Sequence, residues 1–164
     1  MVFEHFGTVR LGTCHYPETL SMILRERGHK VSSVRTGDIV NAAVETDVDL
    51  ATCMLQDLGI NQTRSLGYLE ITAAGQKAGL RLCPAETYLQ LLLQCEESLL
   101  RLSERYYGGL VTVVSAAIPD RGMSPYVMRF RAYEGRLVMA PHWFRHYKDY
   151  RWGPGPFLFI KPRT

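Results

Sequence analysis

His142 and His146 stand four residues apart, the spacing that puts two imidazoles on one helix face for metal binding. Pro141 and the strand-like run before them argue against a helix, and no HExxH pattern surrounds them. Cys14 and His15 set a thiol beside an imidazole, but adjacent residues seldom point at one another, and no orienting acid is evident. Cys83, Pro84 and Glu86 bring thiol and carboxylate close together. Their plainer reading is structural: Pro84 starts a turn, Glu86 accepts backbone N–H groups, and Cys83 is buried. The most suggestive stretch is 142–152, where five aromatics interleave with the cations Arg145, Lys148 and Arg151. Such a segment can stack on bases and neutralise phosphates. The alternative, which is preferred, puts Trp143, Phe144 and Trp152 in the core and leaves the cations solvated.

These candidates need elements to hold them. Residues 8–12 read as a short strand closing at glycine, and Pro17 opens a helix to about residue 27 with Leu20, Ile23 and Leu24 as its stripe and Gly28 at its end. A second helix is expected over 37–44, capped by Thr36, then a strand over 48–55. A third helix follows Thr63 and stops at Gly79, with Leu66, Leu69, Ala73 and Ala74 as its apolar face. Residues 84–107 fit either one long helix or a strand over 88–94 followed by a helix. From 110 onward the chain reads as sheet: an apolar strand over 110–118, an alternating strand over 126–133 with Arg129 and Arg131 on the face opposite Tyr126, Met128 and Phe130, a turn at Glu134-Gly135, a strand over 136–142, and a last strand over 157–161.

The segment Gly79-Leu80-Arg81-Leu82-Cys83-Pro84-Ala85-Glu86, with Val48-Asp49-Leu50 and Leu58-Gly59-Ile60 upstream and Arg151-Trp152, Pro154 and Phe157-Leu158-Phe159 near the end, resembles a family of small bacterial proteins carrying a "GLxLCPAE" motif. The family has no assigned activity, so the resemblance implies a fold and a bacterial origin but no mechanism. In the family a strand follows "CPAE". Carried over, this implies a strand over 88–94, a helix only over about 96–105, and an insertion or remodelled hairpin over 95–109. The resemblance tips the reading of 84–107 toward that arrangement, against local propensity.

At 164 residues, 46% hydrophobic and 21% charged, the chain has the length and composition of one globular domain spanning 1–164. No apolar run reaches membrane-spanning length and the start lacks a signal-peptide pattern, so a cytoplasmic protein with no membrane partner is expected. Cys14, Cys53, Cys83 and Cys95 form no CxxC and are expected to be reduced thiols. No metal is expected, for want of CxxC or HExxH spacing, and no cofactor, for want of Walker or GxGxxG sequences; no GxSxG nucleophile elbow occurs either. The net charge of +3 is uneven: residues 1–120 hold 10 Lys/Arg against 14 Asp/Glu, and residues 121–164 hold 9 against 2.

The expected fold is α+β, a mainly antiparallel sheet of five or six strands with the N-terminal helices packed on one face. The expected function is that of a non-enzymatic binding module whose partner is a protein or a second copy. A nucleic-acid-binding accessory protein and a small enzyme with a dispersed site are the alternatives. The candidate surface comprises Arg129, Arg131, His142, Trp143, Arg145, His146, Tyr147, Lys148, Arg151 and Trp152.

Overall fold

Strands whose side chains are buried on both sides need a layer on each face, and the middle of this sheet is built that way. The computed structural model describes residues 3–31, 39, 41–61, 66–106, 109–119, 125–143, 152–153 and 155–163, and of Trp143 the backbone alone. In chain order its elements are β1 (Glu4–Leu11), α1 (Pro17–Glu26), β2 (Thr46–Cys53), a 3-10 turn (Leu55–Leu58), α2 (Tyr68–Lys77), α3 (Thr87–Gln94), α4 (Glu96–Arg105), β3 (Leu110–Val113), β4 (Tyr126–Tyr133), β5 (Arg136–Trp143) and β6 (Phe157–Lys161). They form an α+β fold around one six-stranded sheet of order β1-β2-β6-β3-β4-β5. The sheet is mainly antiparallel, as expected, with one parallel pairing among its five. The last strand inserts between β2 and β3, and from there it runs antiparallel to β2 but parallel to β3.

The helices are not all on one face. Alternation divides the strands between two cores. Leu50, Val111, Val113, Met128, Phe130 and Leu158 pack with α1, α3 and α4, whereas Ala51, Val114, Val127, Phe157 and Phe159 pack with the 3-10 turn and α2. On that second side Gly75 of α2 rides directly on the Phe159 ring, where any Cβ would collide. The face of α2 that does the packing is Tyr68, Ile71 and Gly75, not the expected stripe, for Leu69 is 58% exposed and Ala73 is exposed as well.

Two further expectations change. Residues 88–94 are helix α3, not a strand. Buried positions run without a break from Thr87 to Leu92, as befits a helix sunk between β1, α1 and α4, and a continuous apolar run cannot be told from a strand by periodicity alone. The chain leaves helical geometry at Cys95 and resumes as α4, so local propensity prevails over the family resemblance here. Of the helix expected over 37–44, the described residues 39 and 41–44 are not helical, and Thr36 and Gly37 lie outside the described residues. The strand expected over 110–118 stops at Val113, although Ser115 and Ile118 make single bridges to Cys83 and Tyr126.

The β4–β5 hairpin forms as its sequence suggests. Glu134 and Gly135 both take positive φ, 49° and 71°, the geometry of a two-residue turn whose twist matches the strands it joins. Pro141 sits in β5, a sheet edge, where a missing N–H is tolerated.

Candidate functional site

Cross-strand partners share a face, so the register of β3, β4 and β5 builds a side-chain grid. Leu110, Arg131 and Val138 form one rung, Thr112, Arg129 and Ala140 the next inward, and Tyr133 pairs with Arg136 at the turn. All lie on the α2 side of the sheet. The inner end of this grid is covered: Val127 and Thr112 are buried and Trp152 lies over Arg129. The outer end is not. Leu110, Arg131, Tyr133, Arg136, Val138 and Ala140 are all exposed, with Tyr133 at 58%.

At the boundary stands a tight cluster. The Arg129 guanidinium lies 4.0 Å from the Trp152 ring centroid, a cation–π contact, and Trp152 meets His142 edge-on at 5.0 Å and Tyr68 at 5.3 Å. The backbone N–H of Trp152 donates to Leu66 O at 3.1 Å, tying the chain ahead of β6 to the start of α2. Burial, reinforced by the charge of Arg129 with an Nη1 3.5 Å from His142 Nδ1, pushes the imidazole down to about 4. His142 is therefore neutral at physiological pH.

The same sheet face is also uncovered at its opposite end, and the contrast between the two ends is informative. There Arg10 donates from Nε to Asp47 at 2.9 Å, while Asp49 accepts from Thr8 Oγ1 at 2.6 Å and Arg163 Nε at 2.9 Å. These partners hold both carboxyls below their ordinary range, the hydrogen bond from Arg10 leading at Asp47 and the one from Thr8 at Asp49. That end is closed by its own ion pairs. At the β4–β5 end, among the described residues, neither Arg131 nor Arg136 forms an ion pair.

The residues singled out from the sequence therefore separate. Arg129, His142 and Trp152 come together, but as a largely covered cluster: Trp152 is 3% exposed and belongs to the second core. Arg131 alone points outward on the described part of the surface. Trp143 contributes backbone to β5, and Arg145, His146, Tyr147, Lys148 and Arg151 lie outside the described residues. Leu110, Tyr133, Arg136 and Val138 were missed. The alternation of each strand was readable, but which end of which face a helix leaves bare depends on the placement of α2.

Cys83, Pro84 and Glu86 sit elsewhere and hold the fold. Glu86 is wholly buried at the start of α3, and its carboxylate accepts the N–H of Gly12 at 2.7 Å, the N–H of Ala42 at 2.7 Å and Nε2 of Gln90 at 2.8 Å. It clasps the exit of β1 and the approach to β2 onto the helix. Gly12 has φ +74°, and a Cβ there would come within 2.7 Å of Val44 O, so only glycine fits. Gln90 extends the clasp to Thr13 Oγ1 at 2.7 Å, and Gln94 extends it to Arg10. Cys83 is buried, and burial pushes its thiol well up and that of Cys53 up to about 12. Neither is a nucleophile at neutral pH.

Ser115 joins the two cores. Its N–H donates to Tyr68 Oη at 2.9 Å, its hydroxyl meets Tyr88 Oη, and burial raises both phenols. Among the described residues no three His, Cys, Asp or Glu side chains converge as a metal site would require, and no helix is long and apolar enough to cross a membrane. No family model, curated protein or solved structure matches the chain.

Proposed function

We propose that this chain is a cytoplasmic, non-enzymatic binding module that uses the bare outer end of its sheet to hold an acidic region of a partner protein. The observation that carries this reading is the rung Leu110–Arg131–Val138, capped by Tyr133 and Arg136. Apolar Leu110 and Val138 stand on either side of Arg131, with Arg136 beside Val138, and both cations lack acid partners among the described residues, on a face otherwise covered by α2 or closed by ion pairs. Apolar anchors supply area, and exposed arginines supply steering and register. A second copy docked by the same face about a two-fold axis would set like charges together, which favours an acidic partner over self-association. The four free cysteines suit a reducing compartment.

Poly-L-glutamate and a single-stranded DNA oligomer test the reading, since both are anionic but only the first is a polypeptide. Poly-L-glutamate is expected to bind at low salt, and Arg131→Glu with Arg136→Glu to abolish binding while unfolding is unchanged. Preference for the DNA would transfer the site to nucleic acid. Binding that survives the double substitution would remove this face from the account.

A further inference from the structure

We propose that the acidic partner is an extended segment that adds to β5 as a seventh strand; this rests on the binding face described above and specifies how that face is used. The hydrogen-bond parity of the hairpin comes first. Tyr126 exchanges both backbone bonds with Ile118, and Ala132 donates to Gly109 O, so the even-numbered residues of β4 turn toward β3 and the odd-numbered ones toward β5. Antiparallel pairing then engages Val138 and Ala140 with Arg131 and Arg129, and it turns the N–H and C=O groups of Leu137 and Met139 away from β4. Among the described residues no strand pairs with that outer edge.

The opposite edge of the sheet is treated differently. In β1 the side-chain amide of Gln94 accepts the Arg10 N–H at 2.9 Å and donates to Arg10 O at 2.8 Å, so a side chain fills the place a neighbouring peptide group would take. A register shift between His5 and Gly7 disrupts the same edge further along. The described part of β5 carries only Pro141, which ends the row of donors and leaves Leu137 and Met139 as the usable stretch.

That stretch opens on a cleft of about 480 Å³ between the hairpin, at Tyr133, Arg136 and Val138, and the chain after α1, at Gly28 and Lys30. Lys30 and Arg136 line it with Glu134 as the single acid, so its charge complements an acidic strand. Backbone bonds to Leu137 and Met139 would supply affinity, and Tyr133 and Val138 would receive alternate apolar side chains on the exposed face.

The probe is an acetylated, amidated (Glu-Val)4 peptide, compared with the same peptide N-methylated at every residue, which keeps side chains and charge but removes the donors. Strand addition predicts that N-methylation weakens binding at least about tenfold. It also predicts that the parent peptide slows amide exchange at Leu137 and Met139. Equal binding of both peptides, with exchange there unchanged, would overturn strand addition while leaving the acidic-partner reading in place. Failure of the peptide alongside binding of poly-L-glutamate would do the same. Slowed exchange at Leu137 and Met139 that depends on protein concentration without peptide would overturn it in favour of a second copy, and failure of both acidic probes would overturn both proposals.

Discussion

Replacing Glu86 by glutamine keeps the shape of the side chain and removes its charge, which isolates the clasp at the start of α3. One carboxylate oxygen accepts from both Gly12 and Gln90 and the other from Ala42, so the amide can serve the first pair but must turn its NH2 toward the Ala42 N–H. Hydrogen bonds to a charged group contribute about 1.5–3 kcal/mol each, and a buried donor left unsatisfied costs about 1–3 kcal/mol. The Ala42 contact is partly buried, so Glu86→Gln is expected to cost about 2–3 kcal/mol, and Glu86→Ala, which strands all three donors, about 3–6 kcal/mol. Release from burying a carboxylate with no cation partner among the described residues offsets part of this, and for that reason the glutamine estimate stays within the range for one lost charged bond instead of adding the cost of the stranded donor in full. Urea unfolding followed by circular dichroism measures the difference, and amide exchange at Gly12 and Ala42 reports the clasp directly. A Glu86→Gln protein within about 0.5 kcal/mol of the parent, the scatter of ordinary surface substitutions, and with Gly12 still protected would refute the reasoning.

Trp152→Ala, which empties a site in the second core against Arg129, is expected to cost about 3–5 kcal/mol by chemical unfolding; a stable variant would return Trp152 to the surface. His142 titrates near 4 in the fold and near 6.5 in the unfolded chain, so the unfolded state binds more protons between these values and stability falls as pH drops from 6.5 toward 4. With the ring partly in contact with solvent, this loss is expected to be about 1–2 kcal/mol, and His142→Gln should remove it from the pH profile.

The strands of the C-terminal half and helix α1 were legible because each carries a local signature: the alternation of 126–133, the Glu134-Gly135 turn, and Pro17 and Gly28 bracketing a stripe. What was not legible is tertiary. Nothing local says that 157–161 enters between β2 and β3, or that α2 crosses to the other face from α1, α3 and α4. Residues 88–94 satisfied both templates because their environment is apolar on nearly every side, and the family resemblance then pointed to the wrong one. The basic half marked by the charge asymmetry is the half that holds Arg131 and Arg136 of the proposed face. The candidate aromatic-basic surface loses Trp152 to the core, in line with the preferred reading, and Arg129 to Trp152, which leaves Arg131 and Arg136 as the exposed cations of the hairpin.

The central claim is that the bare end of the sheet is the binding face, and nitrogen-15 chemical-shift mapping during titration with poly-L-glutamate tests it most directly. Saturable shifts are predicted for the amides of Leu110, Arg131, Tyr133, Arg136 and Val138, weakening as salt rises, with the amides of Thr8, Arg10 and Asp47 unmoved because that end is already neutralised. Shifts centred instead on the β1 end, or on the groove where Arg10, Thr13 and Arg27 face one another, would contradict the account.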